Sequence, residues 1–176
     1  MTTAEINPTQ LPAVGTPAPD FTLMAGDGAT YALAAFKGQP VVLYFYPKDD
    51  TPGCTTEACS FRDAWDRLQA LGALVLGVSR DDAKAHQRFA SKYQLPFPLL
   101  ADPGGAVAQR YGVWVQKSMY GKQYMTMART TFYIRRDGAI GHVWAQVKPE
   151  GHAEEVLQFV AADLAGSDAT SGRSAP

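Results

Sequence analysis

The order of apolar segments predicts an α/β domain: a central mixed sheet flanked by helices and preceded by a short hairpin. Three observations carry this. Strand-like apolar runs alternate with amphipathic stretches through the middle of the chain, an Asp137-Gly138 turn joins two later strands, and a final amphipathic stretch follows them.

The elements follow in order. Phe21 to Met24 and Thr30 to Leu33, separated by Gly26-Asp27-Gly28, read as a hairpin. Residues 40–46 form an apolar run suited to a buried strand, and 54–71 a helix. A strand at 73–79, a helix at 82–94, a strand at 97–100 and a helix at 104–111 come next. Strands at 130–135 and 139–147 meet at Asp137-Gly138, and a helix at about 151–165 ends the domain. Parallel β-α-β units followed by an antiparallel pair and a last helix make this order thioredoxin-like rather than doubly wound. The segment 112–128 has no clear period and is expected as a long loop. Its Trp114, Met119, Tyr120, Met125 and Met127 would either fold back onto the body or offer a docking surface. Residues 1–19 are expected as an extended arm, 20–165 as the domain, and the small, polar 166–176 as a disordered tail.

Composition bounds the function. A chain of 176 residues with 46% hydrophobic content supports one well-packed domain. Sixteen basic against 17 acidic residues, with no long run of either sign, argues against nucleic acid or an anionic membrane as partner. No stretch is apolar for the roughly 20 residues a bilayer span needs, and the start lacks the basic and apolar regions of a signal peptide. A cytoplasmic monomer is expected. In a reducing compartment, two cysteines close in sequence point to catalysis or metal binding rather than to a structural bridge.

Those two cysteines are Cys54 and Cys59, the only ones in the chain. Cys54 follows the strand at 40–46 through Pro47-Lys48-Asp49-Asp50-Thr51-Pro52-Gly53 and falls in the first turn of a helix. There, free N–H groups and the positive end of the helix dipole favour an anion, and activated thiols occur in such places. Cys54, Ala58, Phe61, Trp65 and Leu68 form one apolar stripe, whereas Cys59 groups with Arg62, Asp63 and Asp66 on the polar face. A buried, inert cysteine suits Cys59 poorly and stays open for Cys54 on phase alone. Zinc would need a second close pair of ligands. The histidines offer none: His86 shares a face with Phe89, Ala90 and Tyr93, His142 lies in mid-strand, and His152 opens the last helix, each read as a boundary or surface residue. The absence of C-x-x-C argues against a disulfide reductase.

The pattern Pro47, Thr51, Cys54 resembles the active-site signature of the peroxiredoxins. The longer stretch from Tyr44 to Cys59 is similar to their Q-type subgroup, the bacterioferritin comigratory proteins. So are Gly77-Val78-Ser79, Phe97-Pro98-Leu99-Leu100, Met119-Tyr120-Gly121-Lys122 and Arg129-Thr130-Thr131-Phe132. The resemblance implies a hydroperoxide-reducing enzyme without metal, flavin or haem. In it Cys54 is the peroxidatic thiol, Cys59 the resolving thiol, Arg129 the guanidinium and Thr51 the hydroxyl that stabilise the thiolate, and Pro47 a ring limiting water access. It also implies recycling of a Cys54 to Cys59 disulfide by thioredoxin or a similar dithiol protein. A cation is needed on energetic grounds: each pKa unit is about 1.4 kcal/mol, and a helix terminus supplies only about 0.3 to 2 kcal/mol. Asp49, Asp50 and Glu57 would act against the thiolate, unless Glu57 caps the helix. The competing readings are a non-catalytic redox sensor switching a surface at 112–128 and a thioredoxin-like disulfide exchanger.

Overall fold

The computed structural model describes residues 10–171. Its centre is a five-stranded sheet in the order β5-β4-β3-β8-β9. Strands β3 (Val41–Phe45), β4 (Leu74–Ser79) and β5 (Leu99–Ala101) run parallel. β8 (Thr130–Ile134) joins β3 antiparallel, and β9 (Ile140–Trp144) joins β8 antiparallel. This is the expected mixed, thioredoxin-like sheet. The N-terminal hairpin is also present, as β1 (Thr22–Met24) and β2 (Thr30–Ala32).

The continuous apolar run of β3 reflects burial on both faces, because successive side chains alternate sides. Val42, Tyr44 and Tyr46 face one core, together with Phe61 and Leu68 of α1 (Pro52–Ala70), Phe89 of α2 (Ala83–Tyr93) and Val156 and Val160 of α4 (His152–Ser171). Val41, Leu43 and Phe45 face the other, with Val107 and Ala108 of α3 (Ala106–Arg110), Tyr111, Phe132 and Phe21. Helix α1 therefore lies on the sheet with its N-terminus above the C-terminal end of β3. Tyr44 determines how closely it settles: its ring stacks on Phe61 at 4.8 Å and presses on β4 at Gly77, where an added Cβ would come within 2.9 Å of the ring.

Two expectations need correction. The segment 112–128 is an antiparallel ribbon, β6 (Trp114–Met119) and β7 (Lys122–Met127), turning at Tyr120 and Gly121, both with positive φ (51° and 75°) as a tight hairpin turn requires. Its period was hidden because neither face is wholly buried: Met119, Tyr120, Tyr124 and Met125 are exposed rather than folded back, while Val115 and Met127 are buried. Helix α4 runs to Ser171, beyond the expected end at 165. Extending a helix whose first turns are packed against α1 costs little per added residue. Residues 172–176 of the expected tail and 1–9 of the expected arm lie outside the described residues. The rest of the arm is tied to the edge of the sheet, with Gly15 N–H donating to Ile140 O at 2.8 Å and Ile140 N–H to Thr16 O at 2.8 Å.

Candidate active site

The chain leaves β3 at Tyr46 and reaches α1 through a loop that includes one left-handed residue, Asp50 (φ 58°). Thr51 is the N-cap, Pro52 takes the first helical position where its missing N–H is no loss, and Cys54 follows in the first turn. The Cys54 side chain turns inward and is 1% exposed. Its Sγ lies 3.4 Å from Nη2 of Arg129, the residue just before β8. The pairing of β3 with β8 brings them together: Phe45 sits opposite Thr130, so the residue after one strand and the residue before the other lie at the same end of the sheet. Gly53 makes room, since a Cβ there would meet the same Nη2 at 3.0 Å.

The second arm of the guanidinium holds Glu57, one turn along α1, with Nη1 donating to Oε1 at 2.9 Å. Glu57 is fully buried and its Oε2 has no hydrogen-bond partner among the described residues. It neither caps the helix nor stands free against the thiol. Burial pushes its pKa up to about 7, with the attraction of Arg129 only partly offsetting it. At Arg129 the balance goes the other way: burial opposes its charge, but Glu57 and Cys54 together raise its pKa. The asymmetry follows exposure, 16% for the Arg129 side chain against 0% for Glu57. The cation persists while the carboxylate is the group near its titration point.

Sequence reasoning underestimated two histidines. His152 is buried, with Nε2 2.8 Å from Thr131 Oγ1 and its ring edge-on to Phe61. Burial, then the charge of Arg129, lowers its pKa to about 4, so it stands neutral beside the site. His86 is fully buried and contacts Asp49 Oδ2 at 2.7 Å. Its grouping with Phe89 on one helical face was the available signal. His142 is half-buried against Trp144 and Phe159. Asp49 and Asp50 are likewise engaged away from the thiol, Asp50 with Lys92 Nζ at 2.8 Å and Tyr93 Oη at 2.9 Å.

Among the expected site residues, the structure joins Cys54 and Arg129 directly. Pro47 is half-buried at the end of β3, in the same loop. Thr51 differs from expectation: its hydroxyl donates to the Lys48 carbonyl at 2.9 Å and makes no cap bond, so its one proton is committed within the loop rather than to sulfur. Cys59 is half-buried, and both thiols are free.

A thioredoxin-like sheet carrying a buried, arginine-paired thiol at a helix N-terminus is an arrangement suited to thiol-dependent oxidoreductase chemistry. Residues 14–143 match the model of the AhpC/TSA family, and the chain belongs to that family, among the peroxiredoxins of the Bcp and Q type, which are thiol-dependent peroxidases. It is 53% identical over 144 residues to a putative peroxiredoxin bcp of Coxiella burnetii, covering 82% of this chain and 95% of the relative. With peroxiredoxin Bcp of Bacillus subtilis it shares 45% over 145 residues, covering 82% and 92%. The structure of the bacterioferritin comigratory protein of Xanthomonas campestris superposes with a TM-score of 0.82 at 37% identity, covering 86% of this chain and 99% of that one.

The raised Glu57 pKa has a consequence for stability. The folded state holds this proton more tightly than the unfolded chain, so stability falls as pH rises from the ordinary 4.5 to about 7. His152 acts oppositely: its lowered pKa makes stability rise with pH between about 4 and 6.5. In Glu57→Gln, which keeps an acceptor for Arg129, only the second effect remains. Melting temperature relative to the parent should therefore climb between about pH 4.5 and 7, read by scanning calorimetry. A pH-independent difference would contradict the assignment.

Proposed function

We propose that this peroxiredoxin reduces hydrogen peroxide and organic hydroperoxides through Cys54 and resolves with Cys59. The observation that carries the reading is the 3.4 Å approach of the Arg129 guanidinium to Cys54 Sγ at the start of α1. Dipole and cation both favour negative sulfur and then the negative charge that moves onto the departing oxygen. The thiolate attacks the terminal peroxide oxygen, the O–O bond breaks, and the products are Cys54 sulfenic acid and an alkoxide or hydroxide that takes up a proton. Cys59 thiol then condenses with the sulfenic acid, releasing water and forming the disulfide. Thioredoxin or a similar dithiol protein reduces the disulfide and restores both thiols. Pro47 and Thr51 wall the site. Thr51 does so with its hydroxyl turned to Lys48, which leaves the oxygen's lone pairs available to accept. Alkyl peroxide reduction is the activity named for the Xanthomonas campestris neighbour, which supports organic hydroperoxides as substrates here. Antioxidant defence by a cytoplasmic monomer is the setting we infer.

Condensation requires α1 to open. Residues five apart on a helix have Cα atoms about 8.6 Å apart, beyond the roughly 4.4 to 6.8 Å of a disulfide. Cys54 also points into the core while Cys59 sits half-buried on another face. The far limit of opening lies at Phe61 and Arg62. Phe61 is fully buried against Tyr44 and Phe97, and Arg62 donates to the Tyr93 carbonyl at 2.8 Å.

The roles of the thiols are tested by steady-state peroxide consumption with thioredoxin and its reductase. Cys54→Ser should abolish consumption, whereas Cys59→Ser should retain one rapid oxidation of Cys54 and lose turnover. Equal loss of the first oxidation in both variants would refute the assignment, and stoichiometric reaction of the parent would favour a sensor. Amide hydrogen exchange tests the opening. Protection in residues 55–60 should collapse in the disulfide form and persist beyond Arg62; unchanged protection in a verified disulfide would rule the opening out.

A further inference from the structure

We propose that Asp49 and His86, with Tyr46, are positioning residues for the peroxide reaction: a buried peg that holds the Pro47–Thr51 loop against the sheet. The inference rests on the reading of Cys54 as peroxidatic. Asp49 lies midway between Pro47 and Thr51, and its carboxylate leaves the loop to enter the protein, where only 6% of the side chain remains exposed. One oxygen accepts from Tyr46 Oη at 2.6 Å, and the other meets His86 Nδ1 at 2.7 Å. The Asp49 backbone N–H donates to Asp81 Oδ2 at 2.9 Å, and Ser79 Oγ donates to that same oxygen at 2.6 Å. The loop is thus fixed at its midpoint by β3, by the β4 to α2 connection and by α2.

The chemistry of the histidine makes this contact directional. His86 Nε2 lies 3.0 Å from the Leu100 carbonyl, which can only accept, so Nε2 carries hydrogen. The 2.7 Å contact on the other side is of hydrogen-bond length, so the ring is held between the Leu100 carbonyl and the Asp49 carboxylate with little angular freedom. Removing such groups from water is costly, and an apolar pair would fill the same space at lower cost. What the polar pair adds is a fixed loop position. The loop needs one, because the next residue, Asp50, sits in the left-handed region and is itself exposed, held by the exposed Lys92 and the hydroxyl of the half-buried Tyr93. Three residues beyond Thr51 stands Cys54, so the peg fixes the wall of the peroxide site relative to sulfur. A displacement of about 1 Å at a reacting centre can lower a rate about a hundredfold.

The test compares the first oxidation of Cys54 by hydrogen peroxide with its alkylation by iodoacetamide, which samples the thiol without needing the loop as a wall. Asp49→Ala should slow the peroxide reaction about tenfold or more and alkylation less than about twofold. Asp49→Asn supplies an oxygen for Tyr46 and an N–H for an unprotonated His86 Nδ1, and so should stay within about threefold of the parent. A folded Asp49→Ala variant reacting with peroxide within about twofold of the parent would overturn the proposal. So would an Asn variant as slow as Ala, which would transfer the effect to charge, or alkylation falling in parallel with the peroxide rate. Tyr46→Phe deletes one oxygen and serves should Asp49→Ala not fold: several-fold slowing is expected, and a parental rate overturns the idea. An inactive parent would instead refute the peroxidase reading itself.

Discussion

One guanidinium holds this site together. Arg129 reaches Cys54 Sγ with one nitrogen and Glu57 Oε1 with another, so the first turn of α1 is tied to the start of β8 through a single planar group. A lysine could not make both bonds in that fixed fork. The two partners stand on one helical face, three residues apart, and the guanidinium lies in the space left by Gly53. Sheet pairing, helix placement and thiol chemistry therefore converge on one contact. The carboxyl in it is poised near neutrality because burial outweighs its partner's charge.

In the proposed cycle the same arrangement sets a conflict. Burial of Cys54, Ala58 and Phe61 favours an intact helix, and the first reaction uses it. The proposed disulfide would need the helix opened between anchors that stay in place. Those anchors are visible at both ends: Asp49 and Asp50 bind α2 on one side, and Phe61 and Arg62 hold on the other. Tyr93 serves both ends, donating its hydroxyl to Asp50 and accepting from Arg62 at its carbonyl. A short helical start rich in threonine and interrupted by Pro52-Gly53 is intrinsically weak, and its integrity rests on tertiary contacts such as the Arg129 fork.

Much of this was legible in the sequence. The doubly buried β3, the placement of Cys54 in the first turn of α1 and the antiparallel β8 to β9 pair follow from local pattern, because period and turn chemistry report on immediate neighbours. What was not legible depends on long-range partners. Glu57 looks like any acidic residue on a helix until Arg129 is brought beside it from 72 positions away. Asp49 and Asp50 looked like charges opposing the thiolate, and only the fold shows them engaged by His86, Lys92 and Tyr93. The ribbon at 112–128 escaped because its strands bury neither face completely, leaving no alternation to read. Thr51 shows the limit of motif transfer: the residue matches, while its hydroxyl is oriented to Lys48.

The most direct test of the central contact is the second-order rate of peroxide reaction for Arg129→Lys and Arg129→Ala beside the parent, with iodoacetamide alkylation at fixed neutral pH in parallel. If the guanidinium stabilises sulfur and the departing oxygen, the peroxide rate falls in both. It falls further in the alanine variant, by about a hundredfold as for removal of a preorganised donor, and alkylation slows most where the charge is lost. Unchanged peroxide and alkylation rates in the alanine variant would contradict the account and reduce Arg129 to a structural partner of Glu57.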